Sequence, residues 1–358
     1  MLYLSNADVD ALLDMKACIE SFELAYRAAF EGTAVNGRRS DMITATQRED
    51  GGVYSLKMVG GIVPASGIGA VRINSDILSF PSAGGRTRKV KVPAAPGDRW
   101  VGLILLFSTV TGEPLAILPD GVLQRMRVGA SSGLALRHMA RGDASRLAIL
   151  GSGWQAHAQA MAAAAVRPLS EIRIFSPNPD NARAFAAALE GRLNIPARAF
   201  VAPEEAVRTA DIVLCATNSL QAVFQASWVE PGMHIGSIRD GEIAPEALLK
   251  AGRIIVHDPG NMGSDHLVVA KGLTHKEGSK QINSDPRLAK IAAAPSLAEL
   301  VAGAASGRQS ADEITCFLNF HGLGYQFAAA GAVLLDRARQ AGLGHRLPSE
   351  WFTQDVHS

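Results

Sequence analysis

The chain has 358 residues, 47% hydrophobic and 19% charged, with 35 Lys plus Arg against 34 Asp plus Glu for a net charge of +1. That length suits about two domains of 100–200 residues with ample core, and the near-zero balance argues against a partner such as duplex nucleic acid, which needs a basic excess or a concentrated basic face. Cys18, Cys215 and Cys316 are too scattered for a disulfide framework or a CxxC zinc pair, and no uncharged apolar run reaches the roughly 18 residues of a membrane span.

Residues 1–31 read as a helix, with Ser5 or Asn6 as its cap and apolar positions at Phe22, Leu24, Ala25, Ala28, Ala29 and Phe30. The start, MLYLSNADVDALL, mixes acids with apolar residues and lacks the basic opening of a secretory signal, so a soluble cytoplasmic protein is expected. From about Arg39 the period changes. SDMITAT, VYSLKMV and GAVRINSDIL are short and rich in β-branched residues, with QREDGG and PASG between them, as in a meander of strands. FPSAGGRTRKVKVPAAPGDRW reads as a long loop, and its basic TRKVKV run as a solvated one with no site role. VGLILLFSTV and PLAILPD resume the sheet across a TGE turn, and Leu123–Met139 returns to a helical pattern.

LAILGSG then opens a second regime. LAILGSG, EIRIFSP, DIVLCATN, MHIGSI and RIIVHDP read as buried strands, with QAHAQAMAAAAV, NARAFAAALEG, PEEAVRTA and PEALLKAG as helices between them. That alternation predicts a parallel, doubly wound sheet covered on both faces. After about residue 312, ITCFLNFHGLGYQFAAAGAVLLDRARQAG reads as one long apolar helix that returns to the N-terminal half. The fold class is therefore α/β: a Rossmann unit over 126–314, and a discontinuous α+β unit made of 1–125 with 315–358.

Leu147–Leu150 runs into Gly151-Ser-Gly153-Trp154-Gln155-Ala156 and a helix. Gly151 permits the tight turn, Gly153 lets backbone approach a pyrophosphate, and the small Ala156 lets helix and strand pack closely. The helix N-terminus offers N–H groups and a positive dipole end to the phosphates. A lone GxGxxG is weak evidence, but the surrounding αβ units are the context that confirms it. At the end of the next strand, where an Asp or Glu would bind the ribose hydroxyls of NAD, the sequence has Ser176, Pro177 and Asn178, with Arg183 in the following helix. This favours NADP(H) over NAD(H). Ala216, Thr217 and Asn218, at the edge of a later strand, are placed against the nicotinamide half.

LAILGSGWQA, the preceding RMRVGASSGLALRHMAR, ADIVLCATNS and PGMHIGSI together resemble the ornithine cyclodeaminase/μ-crystallin family over almost the whole chain. The resemblance implies a dimer built through the N-terminal unit. It also implies chemistry that passes hydride between a nicotinamide and a carbon bearing nitrogen: imine reduction, amino-acid oxidation or ornithine cyclisation. By resemblance Arg127 binds a substrate carboxylate, and Arg39 (or Arg38) shares that duty, for which a guanidinium fork is well shaped. The family lysine falls either on Lys57, in YSLKMVGG, or on Arg72, in AVRINSD; both are expected to line the pocket, with Lys57 handling protons. Asp240 falls near the cyclodeaminase aspartate, with Glu242 as its rival. Many relatives carry an aspartate after a Gly-x-x-x-Gln-like turn, where this chain has Gly324-Tyr-Gln326-Phe327.

His234, His257 and His321 sit in no metal-ligand spacing and read as strand-end or packed histidines, and no metal is expected. No GxSxG elbow is present, so hydrolase chemistry has no support. The expected function is NAD(P)H-dependent reduction of a cyclic or linear 2-imino acid, or the reverse oxidation, by a homodimer acting on a small molecule. An ornithine cyclodeaminase-type lyase and a non-catalytic NADPH-binding protein stand as alternatives.

Overall fold

The computed structural model describes residues 1–48, 52–83, 86–87, 89–259, 266–271 and 286–356. Instead of one helix over 1–31, the chain makes a strand, Leu2–Tyr3, and two helices, Asn6–Leu12 and Met15–Phe30. Two side chains set the break. The Ser5 hydroxyl accepts from the Asp8 N–H while the Asp8 carboxylate accepts from the Ser5 N–H, and the Asp14 carboxylate accepts from the Ala17 N–H. Each cap starts a helix afresh, which helical periodicity alone does not reveal.

The first sheet runs, from one edge, through His266–Val269, Ser40–Ala45, Val53–Val63, Ile68–Ser79, Val101–Ser108, Pro114–Pro119, Leu2–Tyr3 and His345–Arg346. The meander was legible, and its register decides the chemistry. Lys57 lies opposite Asp41 on one side and Asn74 on the other, and Asn74 lies opposite Gly102. Alternation then puts Asp41, Ser55, Lys57, Arg72, Asn74 and Asp76 on one face. The C-terminal helix Gly324–Ala341 covers that face, packing on Val53–Val63 and Ile68–Ser79. Part of the expected 80–100 loop is strand: Val90–Val92 pairs with Ile77–Ser79.

The second sheet is wholly parallel, in the order Ala197–Phe200, Glu171–Phe175, Arg146–Leu150, Ile212–Cys215, His234–Ser237, Thr315–Leu318, Arg253–Val256. Thr315–Leu318 corrects the reading of 312–340 as one helix, since the helix begins only at Gly324. A fully buried four-residue run looks the same as strand or helix in sequence. The boundaries at 126 and 314 are not clean either. His266–Val269, from inside the second segment, pairs with Ser40–Ala45 of the first sheet, while Thr315–Leu318 joins the second.

The buried helix Gly121–Met139 joins the two sheets. Its Gly129 presses on the next helix, Trp154–Val166, so closely that a Cβ there would lie 2.6 Å from the Ala158 carbonyl oxygen. No helix among the described residues is long and apolar enough to cross a membrane.

Candidate active site

Strand order reverses between Arg146–Leu150 and Ile212–Cys215, and ligands of open α/β sheets bind outside the carboxyl ends of strands at such a point. A cleft of about 830 Å³ lies there, lined among others by Gly151, Gly153, Trp154, Gln155, Ser176, Asn178, Ala216, Thr217 and Asn218. Gly151 has φ +120°, and a Cβ on it would stand 2.3 Å from the Ala216 carbonyl oxygen, so only glycine fits the turn. Gly153 faces open space at the start of the Trp154–Val166 helix, the free approach a phosphate needs. Ala156 is fully buried against the strand. The side-chain oxygen of Gln155 is buried with no hydrogen-bond partner, which leaves this amide available to a ligand. These features fit a dinucleotide.

At the ribose end, Ser176 accepts from the Ser152 hydroxyl at 2.9 Å. Asn178 caps the Pro179–Leu193 helix by accepting from the N–H groups of Asp180 and Asn181, and exposed Arg183 pairs with Asp180. No acid is among the described residues lining the cleft. On the other wall, the Thr217 N–H and hydroxyl both donate to Glu242 Oε1, at 2.6 and 2.7 Å. The second Glu242 oxygen accepts from the Ser237 hydroxyl and the Arg239 N–H. Glu242 is fully buried, and burial raises its carboxyl above the ordinary range. It ties together the segments that follow two adjacent strands, at Thr217 and at Ser237–Arg239, which is a scaffolding position. Asp240 stands beside Gly241, Ile243, Pro245, Leu318 and Phe320, around a separate small crevice.

The cations meet beneath the C-terminal helix. Arg127, on the Gly121–Met139 helix, is 8% exposed and donates to the amide oxygens of Gln124 (2.9 Å) and Gln326 (3.3 Å). Gly322, beyond the Thr315–Leu318 strand, makes room for it: a Cβ there would stand 2.6 Å from the guanidinium. The guanidiniums of Arg72 and Arg127 each lie 5.6 Å from the Phe327 ring centroid. Arg72 is tied to Asp120 at 2.8 Å, and Asn74 donates to the same carboxylate oxygen. Gly102 admits that carboxylate, since a Cβ there would fall 2.2 Å from it. Arg39 forks onto Asp41 at 2.8 and 2.7 Å, whereas Arg38 is exposed.

Lys57 is buried 3.6 Å from Asp76, on the face that also carries Arg72, so both candidates for the lysine position are on one wall. Burial, with Lys89 and Arg39 nearby, pulls the Lys57 ammonium down to about 8. Burial, with Arg72 as the next cause, brings Arg127 to about 9, which leaves it charged at neutral pH.

Residues with no assigned part in the sequence reading hold Arg127 from behind. The Gln326 Nε2 reaches the Tyr26 hydroxyl (2.8 Å), the Ser131 hydroxyl (2.6 Å) and His257 Nε2 (3.1 Å). His257 Nδ1 faces the carbonyl oxygens of Phe320 and His321, so it carries the proton, and Nε2 accepts from Tyr26. Burial drives this imidazole down to about 3, so it stays neutral. His257, which directly follows the Arg253–Val256 strand, is the packed strand-end histidine expected, and it also belongs to this buried network. The acids, by contrast, had a visible signal: R39-x-D41 and R72-x-N74-x-D76 are spaced by two on strands. His234 is structural, bonded to Thr315 across adjacent strands.

The chain is similar to a Δ1-pyrroline-2-carboxylate reductase of Bacillus cereus, 31% identical over 252 residues, which are 69% of this chain and 74% of that protein. The Thermococcus litoralis Δ1-pyrroline-2-carboxylate reductase, solved with NADH and L-proline, superposes with a TM-score of 0.78 at 26% identity, covering 97% of this chain and all of that one. An archaeal alanine dehydrogenase dimer with bound NAD gives 0.76 at 25% identity, covering 97% and 99%. The family model described as ornithine cyclodeaminase/mu-crystallin matches residues 90–342, and the chain belongs to that family.

Proposed function

We propose that this protein is an NAD(P)H-dependent oxidoreductase of C–N bonds that reduces a 2-imino acid, cyclic or linear, to the amino acid, or runs the reverse oxidation. The observation that carries the reading is Arg127: a buried guanidinium whose hydrogen bonds among the described residues go to amide oxygens, at the carboxyl edge of the parallel sheet. A substrate carboxylate would complete it, with Arg72 beside it across Phe327 and Arg39 contributing its charge. The nicotinamide, when bound, supplies the hydride for the imine carbon or accepts it from the amine. Lys57 holds the proton for the nitrogen: an ammonium near pKa 8 is a stronger acid than an ordinary lysine, and protonation makes the imine carbon electrophilic. Asp240, set in its own crevice, is in our reading a secondary group that acts through water.

We favour NADP(H). The described lining has no acid to repel a 2′-phosphate and includes Ser176 and Asn178, with Arg183 outside the lining on the Pro179–Leu193 helix. We also infer a homodimer formed through the first sheet. Its outer face carries Leu56, Met58, Ile73 and Leu105, with Ile62, Val101 and Leu103 exposed by 40, 42 and 37%. An apolar patch of that kind marks a protein interface. The three cysteines are free and buried, as suits the cytoplasm.

Titration of the purified protein with NADPH and NADH, followed by a panel of imino acids, tests the reading. Expected are tighter binding of NADPH and turnover that Arg127→Ala reduces mainly through KM. Ammonia release from ornithine with no net nucleotide change would favour the cyclodeaminase instead, and nucleotide binding with no turnover would favour a sequestering protein.

A further inference from the structure

Two cations of the pocket lack a carboxylate of their own. Arg127 makes no ion pair among the described residues; its donors go to Gln124 and Gln326. At the opposite end Lys57 and Lys91 share a single carboxylate, with Asp76 Oδ2 3.6 Å from one ammonium and Asp76 Oδ1 2.9 Å from the other. The remaining pairs are complete, Arg39 with Asp41 and Arg72 with Asp120. In these pairs Arg39, Lys57, Arg72, Lys91 and Arg127 stand with Asp41, Asp76 and Asp120, and Lys89 adds a further positive charge near Lys57.

Lys57 pairs with Asn74, and Arg72 is two residues from Asn74 on the same face, so Lys57 and Arg72 are diagonal neighbours about 7–8 Å apart. Arg72 and Arg127 share the Phe327 ring. Phe327 adds no charge between them, and burying an unpaired cation is costly, which bears on Arg127, whereas the Lys91 side chain is 46% exposed and partly met by solvent. Burial lowers both Lys57 and Arg127, and like charges, Lys89 and Arg39 at the first and Arg72 at the second, lower them further.

Resting on the oxidoreductase reading above, we propose that the substrate carries two carboxylates. The one next to the imine carbon lies on Arg127 and Arg72, and a second, on the side chain, lies at the Lys57–Lys91 end. An ammonium has three N–H donors, enough for Lys57 to meet both the substrate nitrogen and one oxygen of this second carboxylate.

Isosteric amino acids isolate that charge. With the full chain saturated with oxidised nicotinamide nucleotide, calorimetric affinity and oxidation rate are compared for L-aspartate against L-asparagine and for L-glutamate against L-glutamine. At least one acid is expected to bind, and to react by kcat/KM, tenfold or more better than its amide. If amides or simple apolar amino acids bind and react as well as the acids, the second-carboxylate site is overturned while the oxidoreductase reading stands. If no amino acid of either kind binds or is oxidised, that reading falls and takes this inference with it.

Discussion

Lys57 is buried among charges that do not fully balance it, and this gives a pH signature. Its folded value near 8 lies below the ordinary lysine value of 10.5, so the acid form is lost as pH rises through about 8. If it supplies the nitrogen's proton, kcat/KM for imine reduction falls above pH 8 while the reverse oxidation gains, and Lys57→Met removes this inflection from both profiles. The linkage to stability has the opposite sense. Between about 8 and 10.5 the unfolded chain binds the proton and the folded chain does not, so the contribution of Lys57 makes the fold more stable as pH rises through that window. Thermal denaturation of wild type against Lys57→Met across that range checks the sign. The basic residues themselves were legible because arginine and lysine on alternating strand positions stand out. Their acidic partners were legible in spacing only, because pairing register, which sets Lys57 opposite Asp41, is a property of the sheet.

At the scale of elements, the C-terminal helix holds the cation pocket shut from one side. It docks glycine on glycine: a Cβ on Gly61 would lie 2.0 Å from the Tyr325 nitrogen, and one on Gly324 1.9 Å from the Gly60 oxygen. This approach brings Gln326 against Arg127, with Tyr26, Ser131 and His257 fixing the amide. Gln326→Glu would set a carboxylate where only an amide oxygen now accepts, and would compete with the substrate for Arg127. KM is expected to rise about tenfold or more, the loss of one charge-assisted bond, with kcat changed less and the melting temperature kept. An equal fall in kcat with unchanged KM would show that Gln326 does not act through substrate binding. None of this network was legible in the sequence. Tyr26 lies 231 residues from His257 and 300 from Gln326, which are themselves 69 apart, and a short buried strand at Thr315–Leu318 disguised where the helix begins.

For the whole molecule, the alternating αβ pattern and the glycine turn identified the parallel sheet and its nucleotide cleft from sequence. What sequence did not reveal is that the two sheets exchange strands, His266–Val269 one way and Thr315–Leu318 the other. Four apolar residues carry no information about which sheet they will join. The outer face of the first sheet makes a further prediction. Leu103→Asp, on the exposed side of a central strand, places charge in the proposed interface and is expected to shift light scattering from the mass of two chains to one. An unchanged dimer would move the interface elsewhere. The central claim, that hydride passes between the nicotinamide and a carbon bearing nitrogen, is tested most directly by isotope transfer. The protein is supplied with NADPH deuterated at C4 and a panel of 2-imino acids, and the amino-acid product is weighed by mass spectrometry. One deuterium on the α-carbon is the predicted result; a product formed without deuterium from either face of the nicotinamide would contradict the account.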